Sequence, residues 1–587
     1  MKFFLPSSLV FLAIASWLPA QNPRPSLRVD STAVGAAQGP AVSTRGELTA
    51  LAWHDQGDGG IYVSTSDGRG LSWSTPVRID GDLSASAKTI QADSVHVVGD
   101  AIYVLWEDER HGASNRELYF NFSENQGASW QGEVRLDKTQ PIGTGSIRDW
   151  HFWADNNDTS GLPDYVYVVF TVDPDGASNE ELYAVVSEDA GFNFHAPVHV
   201  PQDFNPGDFD IDAITMSGHD RHISVIWQDN RAGTMDDIWF QHSHYSGSTW
   251  NTQDHRVDTD PAGAADADGS VATFTEGLTV VAAWQDERTS TTVEELRWNV
   301  SYNMGSNWLG SDVLIGNYTP GVDDVDNPAV AIQNGVFLVA WEDNRSGQDE
   351  IYLATSLDGS IWTETQVSTQ GGGFPAFSHV THGEADAVIA LTWTSGAFPN
   401  VVETAYSRDN GTTWTTGMAI SDTTGDADFA VLDYNQLYGN VIQAWLADDS
   451  GTNGVYAGGF RPPTLHPVGT FSGGQSVHFE IEHFQSFESG YSFGVLLSGG
   501  LDQYLLPDSR NTGLLDDFYL QRSLDEIPGL LSGTVLSDGS GSTPVVIWPF
   551  SIPPGTVLNL VAVSFDISAF PTIVLGGITD IETITVQ

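Results

Sequence analysis

The chain has 587 residues, 77 acidic against 22 basic side chains, a formal net charge of −55 and no cysteine. A surface this acidic repels polyanions and excludes nucleic acid as a partner. Without disulfides, packing, strand closure or bound metal must hold the fold together, and acid spread this evenly reads first as a solubility or salt-habitat device.

The N-terminus, Met1-Lys2 followed by an apolar run from Phe3 to Leu18 and then Pro19-Ala20-Gln21, has the layout of a secretory signal peptide. Cleavage is expected after Ala20, giving a secreted, extracellular or cell-surface protein. No later segment offers the roughly 18 consecutive apolar residues of a membrane-spanning helix, so no membrane span is expected.

From there a unit repeats. An apolar run ends in Trp and is followed by an acid at Trp53, Trp106, Trp227, Trp284, Trp341, Trp393 and Trp445, with Phe170 filling the one gap, which makes eight units. About twenty residues after each of the first seven comes a turn in which a strand ends in Ser, passes through Gly and resumes at an aromatic residue; the eighth unit has no such turn. The copies run from Ser66, Ser123, Ser187, Ser243, Ser301, Ser356 and Ser407, and SRDNGTTW at Ser407 is the fullest. Ser and Asx oxygens can accept backbone N–H groups inside such a turn, while Gly takes positive φ. Period-two alternation between the signatures gives four half-buried strands per unit, hence a propeller. The eighth unit lacks a fourth strand, and Ser26–Asp30 (SLRVD) reads like the outer strands VRID, VRLD and HRVD, so it is expected to close the ring against Val455–Phe460.

The turn resembles the Asp box of the sialidase-like superfamily. The resemblance implies that these turns are structural, between the third and fourth strands of each blade and away from the functional face. It covers the repeat and not the active site: the sequence has no Arg-Ile-Pro-type motif, and sialidases of the family have six blades rather than eight. The expected fold is therefore all-β: a signal peptide over 1–20, an eight-bladed β-propeller over 21–460, a Pro-rich linker over 461–469 and a small β-sandwich over 470–587.

Asp108/Arg110, Asp229/Arg231, Asp286/Arg288 and Asp343/Arg345 recur at the turn between second and third strands. A group present in most blades builds blades, and each Arg is expected to pair across its hairpin with Glu117, Asp237, Glu295 or Glu350. Sites belong where the repeat breaks, and the third unit is the irregular one. Its inner strand carries Arg148, Asp149, Trp150, His151 and Trp153, which read either as a sugar platform or as bulky filling for a wide channel. The loop after it offers Asp155, Asn157, Asp158 and Asp164 as oxygen ligands for a structural Ca²⁺, or forms an ordinary polar turn. Tyr434 reads as a core tyrosine before a nucleophile. His219-Asp220-Arg221-His222 reads as a solvated hairpin turn before a transition-metal site.

No residue is assigned a catalytic role. The leading expectation is a monomeric propeller binding carbohydrate or another extracellular polymer. A glycan-cleaving enzyme, either a divergent exo-sialidase or a polysaccharide lyase, and a purely structural scaffold are the alternatives.

Overall fold

A computed structural model describes residues 26–30 and most of 35–461, leaving out 156–163, 175–178, 378–387 and shorter stretches, and beyond 461 it describes strands between 464 and 585. The signal-peptide region and two of the proposed calcium ligands, Asn157 and Asp158, lie outside the described residues. Among the described residues the chain divides into two compact units, one formed by Arg24–Thr412 with Ala419–Phe460 and another that holds Arg461–Gln587.

The first unit is an eight-bladed β-propeller. Each blade is an antiparallel sheet whose strands follow chain order from the axis outward. In blade 4, for example, the order is Ile211–His219, His222–Asp229, Asp237–Ser243 and His255–Arg256. Blade 2 departs from the pattern, its inner strand being split into Lys88–Thr89 and Val95–Val98. Blade 8 is completed from the N-terminus as expected: Leu27 pairs with Ala457 and Arg28 with Tyr456. Behind that short strand Val29 is buried in the packing between blades 8 and 1.

The Trp of each second strand explains the regularity. Trp53, Trp106, Trp227, Trp284, Trp341, Trp393 and Trp445 are all at most 1% exposed, and Phe170 is buried in the same way. Several stack on an aromatic residue across the third strand, as Trp106 does on Tyr119 and Trp341 on Tyr352. Period-two alternation places these rings in the sheet-to-sheet packing, where burying one large side chain contributes on the order of 2–3 kcal/mol.

The turns between third and fourth strands are built as hydrogen-bonded loops. The Ser hydroxyl accepts the Gly N–H four residues on at Ser123, Ser187, Ser243, Ser301 and Ser407, with N···O distances of 2.8–2.9 Å. The shorter copy at Ser356 makes the same bond to Gly359, three residues on. The glycine also serves blade packing: at Gly305, φ is +74° and an added Cβ would lie 1.8 Å from the Phe240 ring of blade 4.

In the second unit Thr464–Gly469 pairs with Ser476–Glu482, so most of the stretch expected as a linker is a strand. A second sheet there has Ser492–Ser498 beside Val557–Asp566.

Candidate functional site

Blade 3 places its residues in three environments. Trp150 is fully buried in the core between blades 2 and 3 and presents no face to a ligand. Asp149 accepts the backbone N–H groups of Trp150 and of Ile214 in blade 4, and so ties two inner strands together. Arg148 is ion-paired to Asp173 at 2.7 Å and lies 3.5 Å from Glu180. His151 lies between Asp93 Oδ2 and the Ile214 carbonyl, 2.9 Å from each. Burial opposes charge on this imidazole, but Asp93 prevails and raises it to about 9. Trp153 is half-buried among blade 4 neighbours. The segment is therefore mostly a fastening between blades 2, 3 and 4.

The calcium candidates that are described already have protein partners. Asp155 pairs with Arg45 at 3.2 Å, and Asp164 accepts the Tyr103 hydroxyl at 2.7 Å. Tyr434 is buried, in keeping with a core role.

The repeated arginines support the blades, but with other partners than expected. Each Arg turns back on the Asp two residues before it: Arg110 on Asp108 at 2.6 Å, Arg288 on Asp286 at 2.8 Å and Arg345 on Asp343 at 2.9 Å. In blades 4, 5 and 6 that Asp also accepts the indole N–H of the buried Trp, which accounts for the W-x-D-x-R spacing. The second partner is an acid just before the outer strand, or in blade 6 within it: Glu133 for Arg110, Asp254 for Arg231, Asp312 for Arg288 and Glu364 for Arg345. That acid accepts a backbone N–H from the preceding blade at Gly81, Gln202, Thr259 and Asn317, so the group clamps neighbouring blades. Two of the four hairpin acids expected as partners serve outer-strand arginines instead. Glu117 pairs with Arg135, and Asp237 with Arg256; of the four expected pairs only Arg288–Glu295 falls within 4 Å, at 3.9 Å.

An open pocket lies elsewhere. It has a volume of about 1070 Å³ and is lined by residues at the start of the inner strands of blades 1, 5, 6, 7 and 8, by Ile90, Gln91 and Ala92 of blade 2, and by the turns between second and third strands of blades 6 and 7. It therefore sits at the end of the channel bearing those turns, opposite the Ser–Gly turns. Inner strands here share a bulge, with register shifts between Gln38 and Ala41, Asp326 and Ala329, Gly373 and Ala376, and Asp428 and Val431. At each bulge one residue takes left-handed backbone. Two of these are the tolerant types Gly39 and Asn327, but the other two are Phe374 and Phe429, at φ +56° and +53°. Both rings are exposed, at 71% and 68%, and both line the pocket. A bulky residue held in this region is strained by about 1–2 kcal/mol, and strain of this kind gathers at functional sites.

Glu342 fixes the arrangement. Its Oε1 accepts the Phe374 N–H at 2.6 Å and the Asn327 side-chain amide at 2.5 Å, joining the bulges of blades 6 and 7. Burial pushes its carboxyl up, while these two donors pull it down. Asn400 donates to Asp428 at 3.3 Å on the blade 8 side. Among the described lining residues there is no Lys or Arg.

No family model matches the chain, and no curated relative matches its sequence. Solved structures similar to it are propellers of low identity. A Penicillium chrysogenum α-L-arabinanase complexed with arabinobiose is 14% identical over 51% of this chain and 90% of its own, with TM-score 0.33. The polysaccharide lyase Uly1 is 8% identical over 63% and 89%, with TM-score 0.39. A Trypanosoma rangeli sialidase in complex with the inhibitor DANA is 9% identical over 77% and 90%, with TM-score 0.35. The eight-bladed propeller stands on the strand pairing of the chain itself.

Proposed function

We propose that the protein is exported and binds carbohydrate of an extracellular polymer at the mouth of its channel. The observation that carries this reading is the pair of exposed phenylalanines, Phe374 and Phe429, held on strained bulges beside one pocket. Flat apolar rings stack on the C–H faces of sugars, and Asn327, Asn400 and Asp428 supply hydrogen-bonding partners for hydroxyls. With acids at the pocket and no cation among its described lining, neutral glycans are favoured over sialylated or uronic ones. The second unit, read as a β-sandwich, would be an accessory module.

The test is titration against a panel of neutral and acidic polysaccharides. Neutral polymer should bind, and Phe374→Ala and Phe429→Ala should each weaken binding at least about tenfold. Binding that survives the double substitution would overturn the site.

A glycan-cleaving reading has one observation in its favour. Burial keeps the Glu342 carboxyl toward its protonated form in a pocket also lined by Asp428, and glycosidases use a protonated and an ionised carboxyl. Release of new reducing ends, lost in Glu342→Gln, would put this reading first.

A further inference from the structure

Blade 4 carries a group of histidines on the opposite face of the propeller from the pocket. In the pairing of its second and third strands, Ile223 faces Ser243 and Ser224 faces His242. Alternation therefore puts His222, Ser224, His242 and His244 on one side of the sheet, the side whose Ile226 and Phe240 pack on blade 5. Candidate ligand nitrogens of His222, His242 and His244 all lie within 4.8 Å of one another. His242 Nε2 is 3.2 Å from His244 Nδ1, and His242 stacks on the ring of His222.

We propose that His222, His242 and His244 bind one transition-metal dication of the Zn²⁺ class. Three features carry the inference. First, the geometry is close to a metal site, since two Zn–N bonds of about 2.0–2.1 Å at a tetrahedral angle set their nitrogens about 3.3 Å apart. Second, the far nitrogen of His242 has a protein partner that can accept its proton. The buried Ser224 hydroxyl lies 3.3 Å from His242 Nδ1, so a proton held on Nδ1 leaves the Nε2 lone pair facing the group. Third, the histidines break the repeat. The positions equivalent to His242 are Phe122, Val186, Val300 and Thr355 in blades 2, 3, 5 and 6, so the cluster is not part of the blade plan.

Chemistry also selects the ion. Imidazole nitrogens favour Zn²⁺, Ni²⁺ or Cu²⁺ over Ca²⁺, whose preference is for oxygen. His244 is exposed and provides the route in from solvent. In a chain without cysteine, such an ion would pin the second strand to the Ser–Gly turn of the same blade.

The experiment uses the full mature chain, freed of metal with a chelator and titrated with Zn²⁺ by calorimetry, with Co²⁺ as a spectroscopic probe. One equivalent should bind, Co²⁺ should give the intense d–d absorption of a tetrahedral site, Zn²⁺ should raise the melting temperature, and Ca²⁺ in excess should not compete. His244→Ala changes an exposed residue and spares the core; with it and with His222→Gln, affinity should fall by more than about 100-fold. Ser224→Ala should weaken binding about 10- to 100-fold through loss of the Nδ1 partner. Zn²⁺ binding unchanged in His244→Ala and His222→Gln would place the ion on surface carboxylates and overturn the proposal. So would the absence of a one-equivalent site in the unsubstituted protein.

Discussion

At the scale of single residues, strain and charge burial separate site from scaffold. Phe374 and Phe429 occupy backbone that Gly or Asn would tolerate, as Gly39 and Asn327 do in blades 1 and 6. Phe374→Gly should therefore raise stability by about 1 kcal/mol, because little burial is lost and the left-handed strain disappears. The same change should weaken glycan binding, and paired denaturation and titration measurements check both signs. Arg231 behaves in the opposite way. Its side chain is 8% exposed between Asp229 and Asp254, both fully buried, and it stacks on Trp239. Arg231→Ala leaves two buried carboxylates without their cation and should cost about 3–5 kcal/mol, well above the cost of an exposed pair. Chemical denaturation measures it; a loss under 1 kcal/mol would mean that water reaches those acids. The sequence made the arginines visible as scaffold because they repeat. The phenylalanines were missed because the bulge that strains them is a matter of register. One faint signal was there: G-P-A at Gly39, N-P-A at Asn327 and F-P-A at Phe374 occupy the same place in three units. Equally, His222 was legible as part of a hairpin turn, but its meeting with His242 and His244 depends on a cross-strand pairing about twenty residues away.

At the scale of elements, closure was legible and partnership less so. Ser26–Asp30 repeats the Arg-x-Asp outer-strand pattern, and the structure shows why that pattern recurs. Asp80, Asp137 and Asp258 each pair with the Arg two residues before and accept a backbone N–H of the third strand, at Ile61, Leu118 and Ile238. Arg28 and Asp30 repeat the ion pair at 2.7 Å in blade 8. Removing residues 22–31 would uncover the edge of Gly454–Phe460 and expose the packing around Val29. The melting temperature of the truncated chain should fall by many degrees and its propensity to associate should rise, both readable by scanning calorimetry and light scattering. The Pro-rich run after Phe460 looked like a linker because Pro interrupts ladders, yet Pro467 sits within a paired strand opposite Phe479. Only the pairing partner, which sequence does not display, decides that case.

At the scale of the whole molecule, the net charge of −55 and the buried carboxyls act on stability together. Burial raises Asp433, on the blade 8 inner strand, to about 7 against the N–H groups of Thr44 and Tyr434, and raises Glu107 to about 7 against Arg116. An unfolded carboxyl ionises near pH 4, so between about pH 4 and 7 the native state holds protons that the unfolded state has released, and stability falls as pH rises through that window. His54 works in the other direction. Burial, reinforced by Lys88, lowers it to about 4, so the unfolded state takes up a proton below about pH 6.5 that the native state refuses, and stability falls on acidification from there to about 4. His151, raised to about 9 beside Asp93, adds stability that is complete below about pH 6.5 and lost as pH climbs through 9. The raised groups all favour moderate acid, and His54 is joined in opposing them by His96, His199 and His242, which burial also lowers, and by Asp82 and Glu117, whose hydrogen bonds outweigh burial and hold them below the usual carboxylate range. Melting temperature should therefore peak at about pH 5–6, decline toward pH 9 and decline again below about 5. Asp433→Asn removes one ionisation and should flatten the alkaline limb, at some cost in overall stability because its single amide oxygen can accept only one of the Thr44 and Tyr434 N–H groups. Salt should raise the melt most at high pH, where self-repulsion is greatest and screening over about 10 Å at 0.1 M relieves it. A melt that rises steadily from pH 5 to 9 would mean that these carboxyls are hydrated and ionise freely, in which case the tight packing of blade 8 against blade 1 would have to open in solution.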